Sequence, residues 1–231
     1  MTITDRLKGV VSGAFNRTCR RLGLLDARLR SVYLTQPGER KLHLGCGTNL
    51  LTGWLNTDLE PHRSARTTMH LDATRRFPFK DKTFDYVFSE HMIEHISYAD
   101  GTRMLSECYR VLRSGGTVRI STPDLRFLIA LAGEHLSTVQ ESYIMWATDA
   151  FVLPYADAVV VINNFVRDWG HTFIYDVPTL RTALAHAGFT DITQYELNRS
   201  DAVALRGLEN EARMPAGVLR LETMTLEGTK R

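Results

Sequence analysis

Short β-like runs recur along the chain with longer connections between them, and this alternation constrains the fold more than any other feature. The runs cover residues 41–44, 54–59, 67–71, 84–89 and 118–122. Residues 98–112 separate the fourth run from the fifth. Leu105, Cys108, Tyr109 and Leu112 fall there at helical spacing. Gly115 and Gly116 then turn the chain into the next strand. Strands linked by crossovers of this kind form a parallel sheet with helices on its faces.

The rest of the chain is read around that sheet. Up to Gln36 the pattern is helical, and Pro37-Gly38 breaks it. This predicts an N-terminal helical segment, 1–36, and one α/β domain, 37–231. Residues 124–173 are helical and apolar, with Trp146 and Trp169, and read as a substrate-facing insertion. A helix is expected over 177–187, stopped by Gly188, with strands over 189–197 and 221–229. The stretch 198–220 between those strands is too long for a hairpin turn and reads as a second insertion over the site.

Composition excludes several classes. The 231 residues are 44% hydrophobic and 23% charged, with a net charge of +2. Such a chain holds one α/β domain with a sizeable core, and its charge demands no nucleic-acid partner. Cys19, Cys46 and Cys108 are too scattered for a disulfide framework or a zinc motif. Cys46 is expected to pack in a turn. No apolar run approaches the ~20 residues that span a bilayer. The expectation is a soluble cytoplasmic protein without stable membrane insertion. The basic, amphipathic N-terminal segment suggests packing on the domain or a homodimer.

The first strand ends in Gly45-Cys46-Gly47. Glycines there permit a tight turn and close approach of a ligand to backbone, and ligands of open α/β sheets bind beyond the carboxyl ends of strands. Acidic residues close the next strands in turn. Asp58 can accept both hydroxyls of a ribose, Asp72 can receive an adenine amino group, and Glu90 ends the fourth strand. The third glycine of G-x-G-x-x-G is absent, with Leu50 in its place. Only residues 48–53 separate the glycines from the second strand, so the first helix is short or replaced by a loop. A dinucleotide is disfavoured, because its pyrophosphate needs a helix N-terminus.

These residues resemble the class I S-adenosylmethionine-dependent methyltransferases. The similarity is greatest to the group whose fourth strand reads FDxVxSxHxxEH and whose fifth follows RVLxxGG, here Phe84 to His95 and Arg110 to Gly116. Members of this group often accompany polysaccharide or glycoside biosynthesis. The resemblance implies a Rossmann-like seven-stranded sheet of order 3-2-1-4-5-7-6 with its last strand antiparallel. It also implies that Gly45 and Gly47 approach the methionine of the cofactor, Asp58 the ribose, Asp72 with Ala73 the adenine, and that Glu90 lies near the sulfonium.

Methyl transfer from a sulfonium needs alignment, and a neutral alcohol acceptor also benefits from a base. His91 is the first candidate for a catalytic or acceptor-orienting group, and His171 is the second. If helical, the run after the fourth strand would put His91 and His95 on one face. Arg206 and Glu209 are further candidates to reach the acceptor. Glu94, His95 and His171 are compatible with a divalent metal, but several imidazoles do not favour magnesium, and metal-free transfer is the favoured reading. The expected function is O-methylation of a small acceptor, with carbohydrate first. Methylation of a phenol, a quinone precursor or an amine is the alternative, and a non-catalytic S-adenosylmethionine-binding protein is the reading from another class.

Overall fold

The computed structural model describes residues 23–61 and 67–231. Helix α1 (Leu24–Leu34) precedes strands β1 (Lys41–Leu44), β2 (Leu55–Asp58), β3 (Met69–His70) and β4 (Phe84–Glu90). Helix α2 (Tyr98–Val111) leads into β5 (Leu112–Pro123). Three helices follow: α3 (Leu125–Ala130), α4 (Thr138–Ala150) and α5 (Ala158–Arg167). The chain ends with α6 (Val177–His186), β6 (Thr190–Tyr195), α7 (Val218–Glu222) and β7 (Thr223–Thr229).

The seven strands form one sheet of order β3-β2-β1-β4-β5-β7-β6. β1 to β5 are parallel, and β7 runs antiparallel to both β5 and β6. The expected topology is therefore present. Register aligns the functional ends, since Leu44 lies beside Thr57 and Ser89, and Glu90 beside Ser121.

The two faces of the sheet are covered differently. Val87 of β4 points into the main core with Leu42, Leu44, Val118 and Ile120, against α2 and α6. Its neighbour Phe88 points the other way, toward Trp54, Leu205 and Leu208, as the two-residue period of a strand requires. No helix joins β1 to β2; residues 45–54 are turns and loop. The vacated face is covered from the late insertion instead. A third cluster joins α3, α4 and α5 to Val218 of α7 and forms a separate helical cap.

The start of β5 departs furthest from the expected boundary. β5 begins at Leu112, directly after α2, and Gly115 and Gly116 lie inside it. The pairing with β4 shifts between Phe84 and Tyr86, which absorbs the extra residues as a bulge. Gly116 is needed there, because an added Cβ would stand 2.9 Å from the carbonyls of Arg113 and Asp85.

Of the N-terminal helical segment expected over 1–36, Leu24–Leu34 is helical as α1, and residues 1–22 lie outside the described residues. Asp26 of α1 accepts the His70 N–H of edge strand β3, while Leu29, Tyr33 and Leu34 pack on the main core. Among the described residues no helix is long and apolar enough to cross a membrane.

Candidate active site

The loop after β1 is held by its own backbone and by β2. Gly45 and Gly47 have φ of 63° and 49°, the left-handed region where a side chain is costly. A Cβ on Gly45 would also lie 2.4 Å from Cγ of Met92. Around the same point on Gly47 there is open space within 4 Å. The Gly47 N–H donates to Asp58 Oδ2 at 2.8 Å, and Glu60 N–H donates to Oδ1 at 2.8 Å. Asp58 is thus fixed at the mouth of the glycine turn with lone pairs to spare. Asp72 caps the turn after β3 through Thr74 and pairs with Arg75 at 2.9 Å. These bonds hold its carboxyl below the usual carboxylate range. Ala73 packs at the margin of the main core.

Glu90 is buried at the end of β4. Asn49 donates to Oε2 and Asn210 N–H to Oε1, each at 3.1 Å. Arg213 lies 3.5 Å away. Burial raises its pKa, while Arg213 and these donors oppose the rise. Asn49 also donates to the Leu208 carbonyl, tying the β1–β2 loop to the late insertion. No local sequence pattern marks Asn210 or Arg213. Only the unusual length of the 198–220 connection pointed to their region.

His91 follows Glu90 with φ of 47°. The segment after it is a single 3-10 turn, Ile93–His95, so the anticipated α-helical face shared by His91 and His95 does not form. The His91 N–H bonds to the Ser121 carbonyl at 2.8 Å, which continues the β4–β5 ladder and leaves too little chain for a helix. The His91 side chain is largely buried. Nε2 meets Thr223 Oγ1 at 2.7 Å, and Nδ1 lies 3.5 Å from Glu94 and 3.4 Å from Glu222. Burial holds the imidazole well below its ordinary pKa. Burial also pushes the carboxyls up, Glu94 to about 8 and Glu222 to about 7.

A cavity of about 370 Å³ opens beside this cluster. His91, Glu94, His95, Asp168, His171, Arg213 and Glu222 supply its polar lining, and Trp146, Phe151 and Trp169 its aromatic lining. The rings of Phe151 and Trp169 lie 4.0 Å apart at 34°, and Trp146 meets both edge-on. Trp169 is anchored by its indole N–H to Asn164. His171 is held through Nδ1 to the Phe165 carbonyl at 2.8 Å. Desolvation lowers its pKa to about 4. The structure therefore brings both histidine candidates into one cavity. Arg213 borders that cavity and also faces Glu90.

Arg206 and Glu209 do not reach the cavity lining. Glu209 is buried against Arg119 at 2.6 Å and Ser121 at 2.7 Å, and Arg206 donates to the carbonyls of Ser200 and Asp201. Their roles are to shape the insertion.

Residues 42–120 match the family described as "Methyltransferase domain". No curated protein sequence matches the chain. Among solved structures, an S-adenosylmethionine-dependent methyltransferase from Mesorhizobium loti is 19% identical, with a TM-score of 0.52 over 88% of this chain and 96% of that one. One from Archaeoglobus fulgidus is 17% identical, with a TM-score of 0.51 over 90% and 93%. These two likenesses establish the fold. The domain match spans β1 to β4, α2 and most of β5, the part of the sheet whose strand ends carry the glycine turn and the acidic residues. The turn is compatible with the S-adenosylmethionine that the sequence resemblance implies: an added Cβ on Gly47 would meet open space, and Asp58, which accepts the Gly47 N–H, stands at the adjoining strand end.

Proposed function

We propose that this chain methylates a hydroxyl oxygen of a small acceptor, and that the acceptor is a sugar, a glycoside or an oligosaccharide. The carrying observation is the cavity that begins at His91, one residue beyond Glu90, where aromatic rings face polar side chains. A sugar ring presents C–H bonds on one face and hydroxyls at its edge. Trp146, Phe151 and Trp169 suit the first, and Asp168, His95 and His171 suit the second.

In this reading Gly45 and Gly47 seat the methionine end of the donor, Asp58 the ribose, and Asp72 with Ala73 the adenine. Glu90 stands by the sulfonium. The acceptor oxygen attacks the methyl carbon in line. A C–O bond forms, the C–S bond breaks, and its electron pair stays on sulfur to give S-adenosylhomocysteine. The hydroxyl proton passes to His91. His171 orients the acceptor, since the Phe165 carbonyl holds Nδ1 and leaves Nε2 for the incoming oxygen. Orientation supplies about 7–11 kcal/mol in well-aligned reactions, and a base adds about 10²–10⁴-fold.

An amine acceptor is the second reading. The carboxyls of Glu94, Asp168 and Glu222 around aromatic rings favour it, since cations bind such surroundings. An acceptor screen over sugars, glycosides and amines, read by S-adenosylhomocysteine release, separates the two. Turnover confined to amines overturns the hydroxyl reading. His91→Asn tests the base while tolerating the left-handed backbone. The variant is expected to bind S-adenosylmethionine normally in calorimetry and to lose about 10²-fold or more in turnover. Normal turnover would remove His91 from the chemistry.

A further inference from the structure

Glu94, His95 and His171 come from two separate segments, yet one ligand atom of each lies within 4.8 Å of the others. His95 Nδ1 lies 3.2 Å from the Gly170 carbonyl, and His171 Nδ1 lies 2.8 Å from the Phe165 carbonyl. A carbonyl oxygen only accepts, so both Nδ1 atoms carry the ring proton in these bonds. Each ring keeps its lone pair on Nε2. The two ring centres stand 4.9 Å apart.

Glu94 completes the group. Its side chain is fully buried, and Oε2 accepts the Thr122 hydroxyl at 3.0 Å. Oε1 is buried and makes no hydrogen bond, with His91 Nδ1 standing off at 3.5 Å. A buried carboxylate oxygen left without a donor is costly, and a cation among the three groups would relieve that cost. Backbone carbonyls behind the two imidazoles and a hydroxyl behind the carboxylate are the supports that ligating side chains receive in metal sites.

We propose that Glu94, His95 and His171 bind one divalent first-row transition ion of the zinc, cobalt, nickel or iron(II) type. Two imidazoles and one carboxylate suit these ions, whereas magnesium and calcium prefer oxygen donors alone. The three ligands leave coordination positions toward the cavity. The ion's role rests on the hydroxyl reading above, its existence on the geometry alone. With the ion on His171 Nε2, the ion would take over from that nitrogen the orienting of the acceptor hydroxyl and ease its deprotonation as a Lewis acid.

The test uses untagged full-length protein, freed of metal by chelator and dialysis, then titrated with Co²⁺. The expected result is one Co²⁺ per chain with visible d–d absorption, displaced by Zn²⁺ and untouched by excess Mg²⁺. His171→Ala should abolish the absorption. Thr122→Val, which leaves all three ligands in place, should weaken binding by about 10–100-fold. Melting curves and S-adenosylmethionine titrations confirm that each variant is folded. Absence of the Co²⁺ spectrum in the wild type, or an unchanged one in folded His171→Ala, overturns the site. The two readings fail separately. Hydroxyl methylation by protein that binds no Co²⁺ sinks only the metal site, and Co²⁺ binding without methylation of any hydroxyl sinks only the acceptor.

Discussion

His43 shows how one side chain sets the shape of the loop between β1 and β2. It is buried on β1, with Nδ1 3.1 Å from Asn56 Oδ1. The same Asn56 oxygen accepts the Leu51 N–H, and the Asn56 amide donates back to the Leu51 carbonyl. The pair therefore templates the loop that carries Asn49. Desolvation holds the His43 imidazole at about 4 instead of 6.5. The unfolded chain then binds the extra proton between those values. Stability is full above pH 6.5 and falls as the pH drops toward 4, by ~3 kcal/mol for this group. Denaturant unfolding across that range should show the loss in wild type and a flatter profile in His43→Gln. Parallel profiles would mean that His43 is not held neutral by the fold.

The residues at strand ends were legible as a set: one acid there is usually a surface or capping carboxylate, but acids closing successive strands after a glycine turn rarely coincide. Gly45, Gly47, Asp58, Asp72 and Glu90 all stand at the positions expected of them. Asn210 and Arg213 were not legible, because Asn210 lies 120 residues from Glu90 and no local pattern links them. The conformation of His91 was hidden for another reason. Its spacing to His95 suits a helix, and the β4–β5 ladder overrode that preference.

At the scale of elements, the missing first helix has a visible replacement. The insertion after β6 lies over the face of β4 and β5 that no helix covers and is fastened by Arg119. That guanidinium is fully buried. It pairs with Glu209 and Glu227 at 2.6 Å each and donates to the Arg199 carbonyl at 2.8 Å. Arg119→Met would leave two buried carboxylates without their cation. Breaking such a network costs about 3–5 kcal/mol, and the insertion that carries Asn210 and Arg213 would loosen first. The expected outcome is a matching loss in unfolding free energy with faster hydrogen exchange over residues 198–213. A loss under about 1 kcal/mol would show that the network is not what fastens the insertion. The short gap after the glycines made the absent helix legible. Its replacement was not, because arginine in a strand reads as a surface residue until its partners are known.

At the scale of the whole molecule, the sheet and the cap have separate cores. Leu42, Val87, Val118 and Leu226 belong to the first. Phe127, Tyr143, Val161 and Phe165 belong to the second, and Val218 of α7 joins the cap just before β7 begins. The residues proposed to hold the cofactor sit on the sheet, whereas Trp146, Phe151, Trp169 and His171 of the cavity are tied to the cap. Phe165 is the point where the cap meets the chemistry. It is fully buried, its ring stacks near Trp169 and His171, and its carbonyl holds His171 Nδ1. Phe165→Ala should cost the cap about 3–5 kcal/mol, as large-to-small core changes do. Because the two cores are separate, the loss should fall on one binding event only. S-adenosylmethionine affinity should stay within about twofold, since roughly 0.4 kcal/mol is the error expected for independent sites. The acceptor KM should rise, and hydrogen exchange should quicken over residues 138–171 while β1, β4 and β5 stay protected. Equal weakening of donor and acceptor binding would show that the cap and the sheet act as one cooperative unit.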